Sequence, residues 1–233
     1  MIVNSRNIII GLNLIYNLLM LFYELFPNYF TLLLSIIFLL SNFYILNKKL
    51  DKIETLTCIS IMMIPTSFIS VIGTSFSSLP LSWFIVTVVA ICILIIFKER
   101  KIDYSYLVFV CIFVIYGLYN INNSYNFYDA FKQFITIGFF YCSFFIASYL
   151  KNNKTTNLYR ILFDIYILAV ISFSLQIILQ KAFIYNFDKI IGHYGKFGGG
   201  RVAYAALMGD YSFASLFIAS GMLCLTLLYC EYV

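Results

Sequence analysis

Charge is what this chain has least of. Only 11% of its 233 residues are Asp, Glu, Lys or Arg, while 63% are hydrophobic. Soluble domains carry about 25% charged residues, so the composition does not supply a water-facing surface. Histidine and tryptophan occur once each, as His193 and Trp83, and proline three times, as Pro27, Pro65 and Pro80. The six cysteines, Cys58, Cys92, Cys111, Cys142, Cys224 and Cys230, lie within or at the ends of apolar runs, with no CxxC pair and no histidine beside them. That spacing provides neither a disulfide framework nor a zinc site, and no metal is expected. Phosphate and nucleophile motifs are missing as well. Gly195-Lys196 is followed by Phe197 where a P-loop needs Ser or Thr, and neither GxGxxG nor GxSxG occurs, so no cofactor is expected. The scarcity of acids and bases inside the apolar runs argues against a proton-coupled pump.

What the chain has is apolar runs, recurring at 8–23, 29–46, 55–76, 81–97, 104–121, 130–150, 161–179 and 211–228. A bilayer-crossing helix needs about 20 such residues. The runs lack the alternation of a membrane barrel, and open sheet edges stay unpaired in lipid, so helices are the workable reading. The expected fold is all-α, a polytopic transmembrane bundle of about eight spans forming one domain over 1–233, with a long external loop at 181–210. Ten of the fifteen basic residues fall on one side of this arrangement: Arg6, then Lys48, Lys49 and Lys52, then Lys98, Arg100 and Lys101, then Lys151, Lys154 and Arg160. The positive-inside rule places both termini in the cytoplasm. The net charge of +5 is then mostly a topology signal, and nucleic acid is not an expected partner. No cleavage site follows the first run, which is expected to remain as a span.

A few polar residues interrupt the spans. Pro65 interrupts the third, which reads as an ordinary kink, and frees a carbonyl that Thr66 or Ser67 can partly satisfy. Asp164 follows Arg160 by four residues, the spacing of an ion pair near the cytoplasmic interface. Lys132 suits either snorkelling to the headgroups or lining an anionic cavity. Gln176 and Gln180 share a helix face with Ser172 one turn below, which reads equally as interhelical hydrogen bonding or as the floor of a site.

The long loop gathers Gly192, Gly195, Gly198, Gly199 and Gly200 with His193, Lys196 and Arg201. The run Gly198-Gly199-Gly200-Arg201 joins a permissive backbone, able to expose N–H groups, to a guanidinium that grips phosphate oxygens in pairs. This reads as an external anion site, with Lys196 and His193 as further contacts. The competing reading is a flexible loop with one interfacial arginine.

Gly200-Arg201, followed by Leu207-Met208-Gly209-Asp210-Tyr211-Ser212-Phe213-Ala214, resembles the signature of the O-antigen and capsule repeat-unit polymerases and O-antigen ligases. In that family an arginine precedes a GxFG[DE]P[NS]xxA-like stretch leading into the next helix. Gly209 matches the glycine, Asp210 the acid, Ser212 the Asn/Ser position and Ala214 the small residue, while Tyr211 stands where the family has proline. The resemblance implies a multi-pass protein of the bacterial cell membrane, whose partners are the bilayer, a polyprenyl-diphosphate-linked glycan and other polysaccharide-export membrane proteins. It implies glycosyl transfer on the outer face, with Arg201 and Asp210 catalytic and Gly198, Gly199, Gly200, Lys196, His193 and Ser212 binding substrate. Family members are longer, so the chain is expected to be an N-terminal fragment. From the residues alone Asp210 is also a good helix N-cap. A lipid-linked-oligosaccharide flippase or other export transporter, and a non-catalytic membrane scaffold, are the alternatives from other functional classes.

Overall fold

A computed structural model describes residues 2–22, 28–67, 83–98, 104–127, 158–187, 191–197, 201–207 and 211–232, with scattered residues between 130 and 150. The chain is mostly helical. In order come α1 (Ile2–Met20), α2 (Asn28–Leu46), α3 (Lys52–Met62) with a 3-10 turn (Ile64–Thr66), α4 (Trp83–Lys98) and α5 (Tyr104–Asn122). After the partly described helical stretch at 130–150 come α6 (Leu158–Phe187), strands β1 (His193–Phe197) and β2 (Arg201–Ala206), and α7 (Tyr211–Tyr232).

Local chemistry sets several of these boundaries. α3 opens on a capping box in which the Asp51 carboxylate accepts from the Glu54 N–H at 2.8 Å and the Glu54 carboxylate accepts from the Asp51 N–H at 3.0 Å. Two N–H groups left over by the helix start are thereby satisfied. The helix therefore starts three residues earlier than the apolar run suggests. α3 ends at Met62, three residues before Pro65, where an ordinary kink was expected. The Thr66 hydroxyl donates to the Met63 carbonyl at 3.0 Å, and the backbone tightens into 3-10 geometry. The sequence after 67 that was expected to complete the third span lies outside the described residues.

α1, α2 and α6 pack through an unusual stripe. On α2 the buried positions are Thr31, Ser35, Phe38, Asn42 and Leu46, recurring at helical spacing, whereas Leu32, Leu33, Ile37, Leu40 and Tyr44 are exposed. On α1 Asn13, Tyr16, Asn17 and Met20 are buried and Ile8 and Ile15 exposed. Several polar residues are thus inside while Leu32, Leu33, Ile37, Leu40, Ile8 and Ile15 are outside. Tyr16 stacks on Phe38 with ring centroids 4.0 Å apart, and its hydroxyl shares a hydrogen bond with Ser35.

Contacts between side chains fix the helix directions. Asn13 meets Ser172, Asn17 meets Gln176 and Phe22 meets Phe183, so α1 and α6 run parallel. Tyr166 shares a hydrogen bond with Ser220, and Phe173 packs edge-on against Phe217 at 5.8 Å, so α7 runs antiparallel to α6. The start of α1, the α2–α3 turn, the start of α6 and the end of α7 consequently share one end of the bundle. The two-stranded sheet occupies the other.

Among the described residues two helices, over Tyr29–Leu46 and Leu158–Phe187, are long and apolar enough to cross a membrane; α1, α4, α5 and α7 contain shorter apolar stretches.

Candidate functional site

The segment expected as a loop from 181 is corrected at both of its parts. α6 continues to Phe187, because KAFIYNF contains no glycine or proline to stop it. Its 30 residues extend about 45 Å at 1.5 Å per residue. Beyond it the glycine-rich stretch folds as an antiparallel β-hairpin, with Phe197 opposite Arg201, Lys196 opposite Val202, Gly195 opposite Ala203 and Tyr194 opposite Tyr204. His193 pairs with Ala206, leaving Ala205 as the extra residue of a bulge. Ala205, Ala206 and Leu207 are buried, so this arm of the hairpin is part of the core.

One side chain holds the base of the hairpin. Gln180, fully buried on α6, donates from Nε2 to the Ile191 carbonyl at 2.6 Å and accepts at Oε1 from the Ala206 N–H at 3.0 Å. It therefore ties both arms to the helix. Gly192, at φ +66°, makes the turn into β1, and a Cβ there would sit 2.6 Å from the Ala206 carbonyl oxygen. Ala206 itself has φ 45°, a left-handed conformation uncommon outside glycine, stabilised by the Gln180 hydrogen bond and by burial.

The other two members of the polar stripe join helices. Ser172 donates to Asn13 Oδ1 at 2.6 Å, and Gln176 donates to the Asn17 carbonyl at 2.8 Å. Asn17 donates to the Asn13 carbonyl at 2.9 Å, completing a buried chain of amides between α1 and α6. Of the two readings open for this stripe, hydrogen bonding between elements describes Ser172 and Gln176, while Gln180 underlies the hairpin.

Tyr211, the first residue of α7, joins the hairpin to that helix. A Cβ on Gly195 would lie 2.5 Å from the Tyr211 hydroxyl, so the phenol rests directly on the β1 backbone. The contact brings the strand bearing Lys196 to the N-terminus of α7, where Ser212 is exposed in the first turn and Lys196 is exposed on β1. Gly198, Gly199, Gly200 and Asp210 lie outside the described residues, as do the side chains of His193 and Arg201. The backbone of Arg201 opens β2, and that of His193 opens β1. What the fold juxtaposes is thus the hairpin strands His193–Phe197 and Arg201–Ala206 and the helix that begins at Tyr211.

Sequence reasoning missed Gln180 as an anchor, Tyr211 as a contact and the hairpin itself. The signal for the hairpin was present: Tyr194 and Phe197 before three glycines, Val202 and Tyr204 after them, are β-favouring residues around a permissive turn. Among the described residues no three His, Cys, Asp or Glu side chains gather as a metal site. Searches against protein-family models, curated proteins and solved structures find no match.

Proposed function

We propose that the chain is a multi-pass protein of the bacterial cell membrane, with about eight spans and both termini cytoplasmic. It presents the 193–206 hairpin on the outer face for cell-surface polysaccharide assembly. The observation that carries the membrane part is the inverted polarity of α1 and α2. In water, exposing Leu32, Leu33, Ile37 and Leu40 while burying Thr31, Ser35 and Asn42 reverses the hydrophobic effect. In lipid it is favourable, because aliphatic side chains meet acyl chains and polar ones find partners inside. Helix packing is consistent with the proposed sidedness. Helix packing gathers the Arg6 end of α1, the turn bearing Lys48, Lys49 and Lys52, and the Arg160 end of α6 at one end, opposite the hairpin, as the positive-inside rule requires.

The proposed reaction is transfer of polyprenyl-diphosphate-linked oligosaccharide repeat units to an acceptor hydroxyl. A glycosyl donor departing as a diphosphate gains negative charge, and a guanidinium with preorganised N–H groups stabilises it. Arg201, with Gly198–Gly200 beside it, is assigned that role. Lys196, His193 and Ser212 contact the substrate, and Asp210 orients an arginine or the acceptor. The assignment rests on the motif resemblance and on the Gly195–Tyr211 contact that seats the hairpin against the helix following Asp210. In cells that depend on this protein for surface polysaccharide, Arg201→Ala is expected to abolish product with unchanged protein level. Arg201→Lys is expected to rescue poorly because lysine lacks the paired donors. Normal product from Arg201→Ala would overturn the assignment.

A further inference from the structure

α1, α2 and α6 enclose a second feature at the end of the bundle opposite the hairpin. A cavity of about 520 Å³ is lined by Ile10 and Leu14 of α1, Leu46 of α2 and Leu168 of α6, with Lys49 and Asp164 as its only charged lining residues among the described ones. Its size falls within the ~300–1,000 Å³ of small-molecule sites. Asp164 and Gln180 are sixteen positions apart on α6, so the charged end of the cavity lies roughly 24 Å along the helix from the hairpin anchor, and even its nearest lining residue, Ile171, lies roughly 13 Å from it.

The lining calls for an amphipathic occupant: aliphatic along its length and anionic at one end. Lys48 and Lys52 flank Lys49 in sequence, and Arg160 lies one turn before Asp164. All four cations are exposed, against exposed Asp51 and Asp164, so among the described residues the surface around this end of α2 and α6 is net positive. The Lys48 ammonium rests 4.1 Å from the centroid of the Tyr44 ring, which holds it at the end of α2. A lysine has three donors, so a contact made within the protein leaves Lys49 able to reach a phosphate as well. Basic clusters next to cytoplasmic helix ends attract anionic lipid headgroups.

We infer that this cavity binds one acyl chain of an anionic phospholipid from the cytoplasmic leaflet, with the headgroup phosphate on Lys49 and its neighbouring cations. The inference rests on the membrane reading and on its sidedness, but not on the polysaccharide assignment. Native mass spectrometry of the full chain, extracted from vesicles of equal parts phosphatidylcholine and phosphatidylglycerol, tests it. One phosphatidylglycerol should be retained in preference to phosphatidylcholine. Leu168→Trp, which fills the cavity, should abolish retention, and Lys49→Gln should lower it about fivefold. Equal retention of the two lipids, or retention unchanged in both variants, would overturn the site. Displacement of phosphatidylglycerol by added polyprenyl phosphate would overturn the choice of occupant. If Leu168→Trp does not insert, the surface change Lys49→Gln still decides. Failure of the wild-type chain to float with the vesicles would instead reject the membrane reading on which the site depends.

Discussion

Gly195 and Tyr211 make the contact on which the proposed site's geometry depends. A side chain at 195 has no room, because a Cβ would meet the tyrosine hydroxyl at 2.5 Å and its ring carbon at 3.0 Å. Gly195→Ala should therefore destabilise the protein by about 1–3 kcal/mol through overpacking. Tyr211→Phe removes the closer of the two clashing atoms, so it should recover part of that loss. A thermal-unfolding double-mutant cycle in detergent measures the coupling. Strictly additive effects would mean that the phenol does not rest on β1. The same contact bears on the resemblance. Proline at 211, which the resembled signature has, would fix the backbone entering α7 but could not reach the hairpin as the tyrosine does.

The hairpin is an element without a self-sufficient core: two short strands, glycine-rich, anchored from one face. Gln180→Leu would leave the buried Ile191 carbonyl and Ala206 N–H unpaired at about 1–3 kcal/mol each. Membrane insertion should be unchanged, while cleavage between 192 and 207 by protease added from outside should accelerate. Unchanged cleavage would show that packing of Ala205, Ala206 and Leu207 holds the element without the amide. The helices were legible because their signal is collective: a run such as 29–46 announces itself by composition, and α2 occupies Asn28–Leu46. The hairpin's signal, β-favouring residues on either side of three glycines, was weak, because five- and six-residue strands carry little periodicity and polar residues in an apolar chain read as loop. The capping box at Asp51 and Glu54 was overlooked for a related reason: its charges lie in a basic turn that was read for topology. Gln176 and Gln180 could be placed on one face from spacing alone, but their partners, Asn17 and the hairpin base, lie 159 and 11–26 positions away and become visible only with the fold.

Over the whole molecule, the inverted distribution of polarity supports the proposed membrane setting, and the one-sided distribution of lysine and arginine supports the proposed orientation. Parallel α1 and α6 and antiparallel α7 place both chain ends at the basic end of the bundle and the hairpin at the other. About 45 Å of α6 matches the thickness of a bilayer with its headgroups, so the helix is long enough to carry the hairpin from one surface to the other. The phosphate chemistry proposed for Gly198–Arg201 and the lipid site proposed at Lys49 both require this orientation, on opposite faces. The direct measurement is cysteine accessibility in intact cells, using single-cysteine variants in a background with the six native cysteines replaced. A membrane-impermeant maleimide should label Gly199→Cys without permeabilisation and Asn153→Cys only after it; the reverse pattern would put the hairpin in the cytoplasm and contradict an outer-face site.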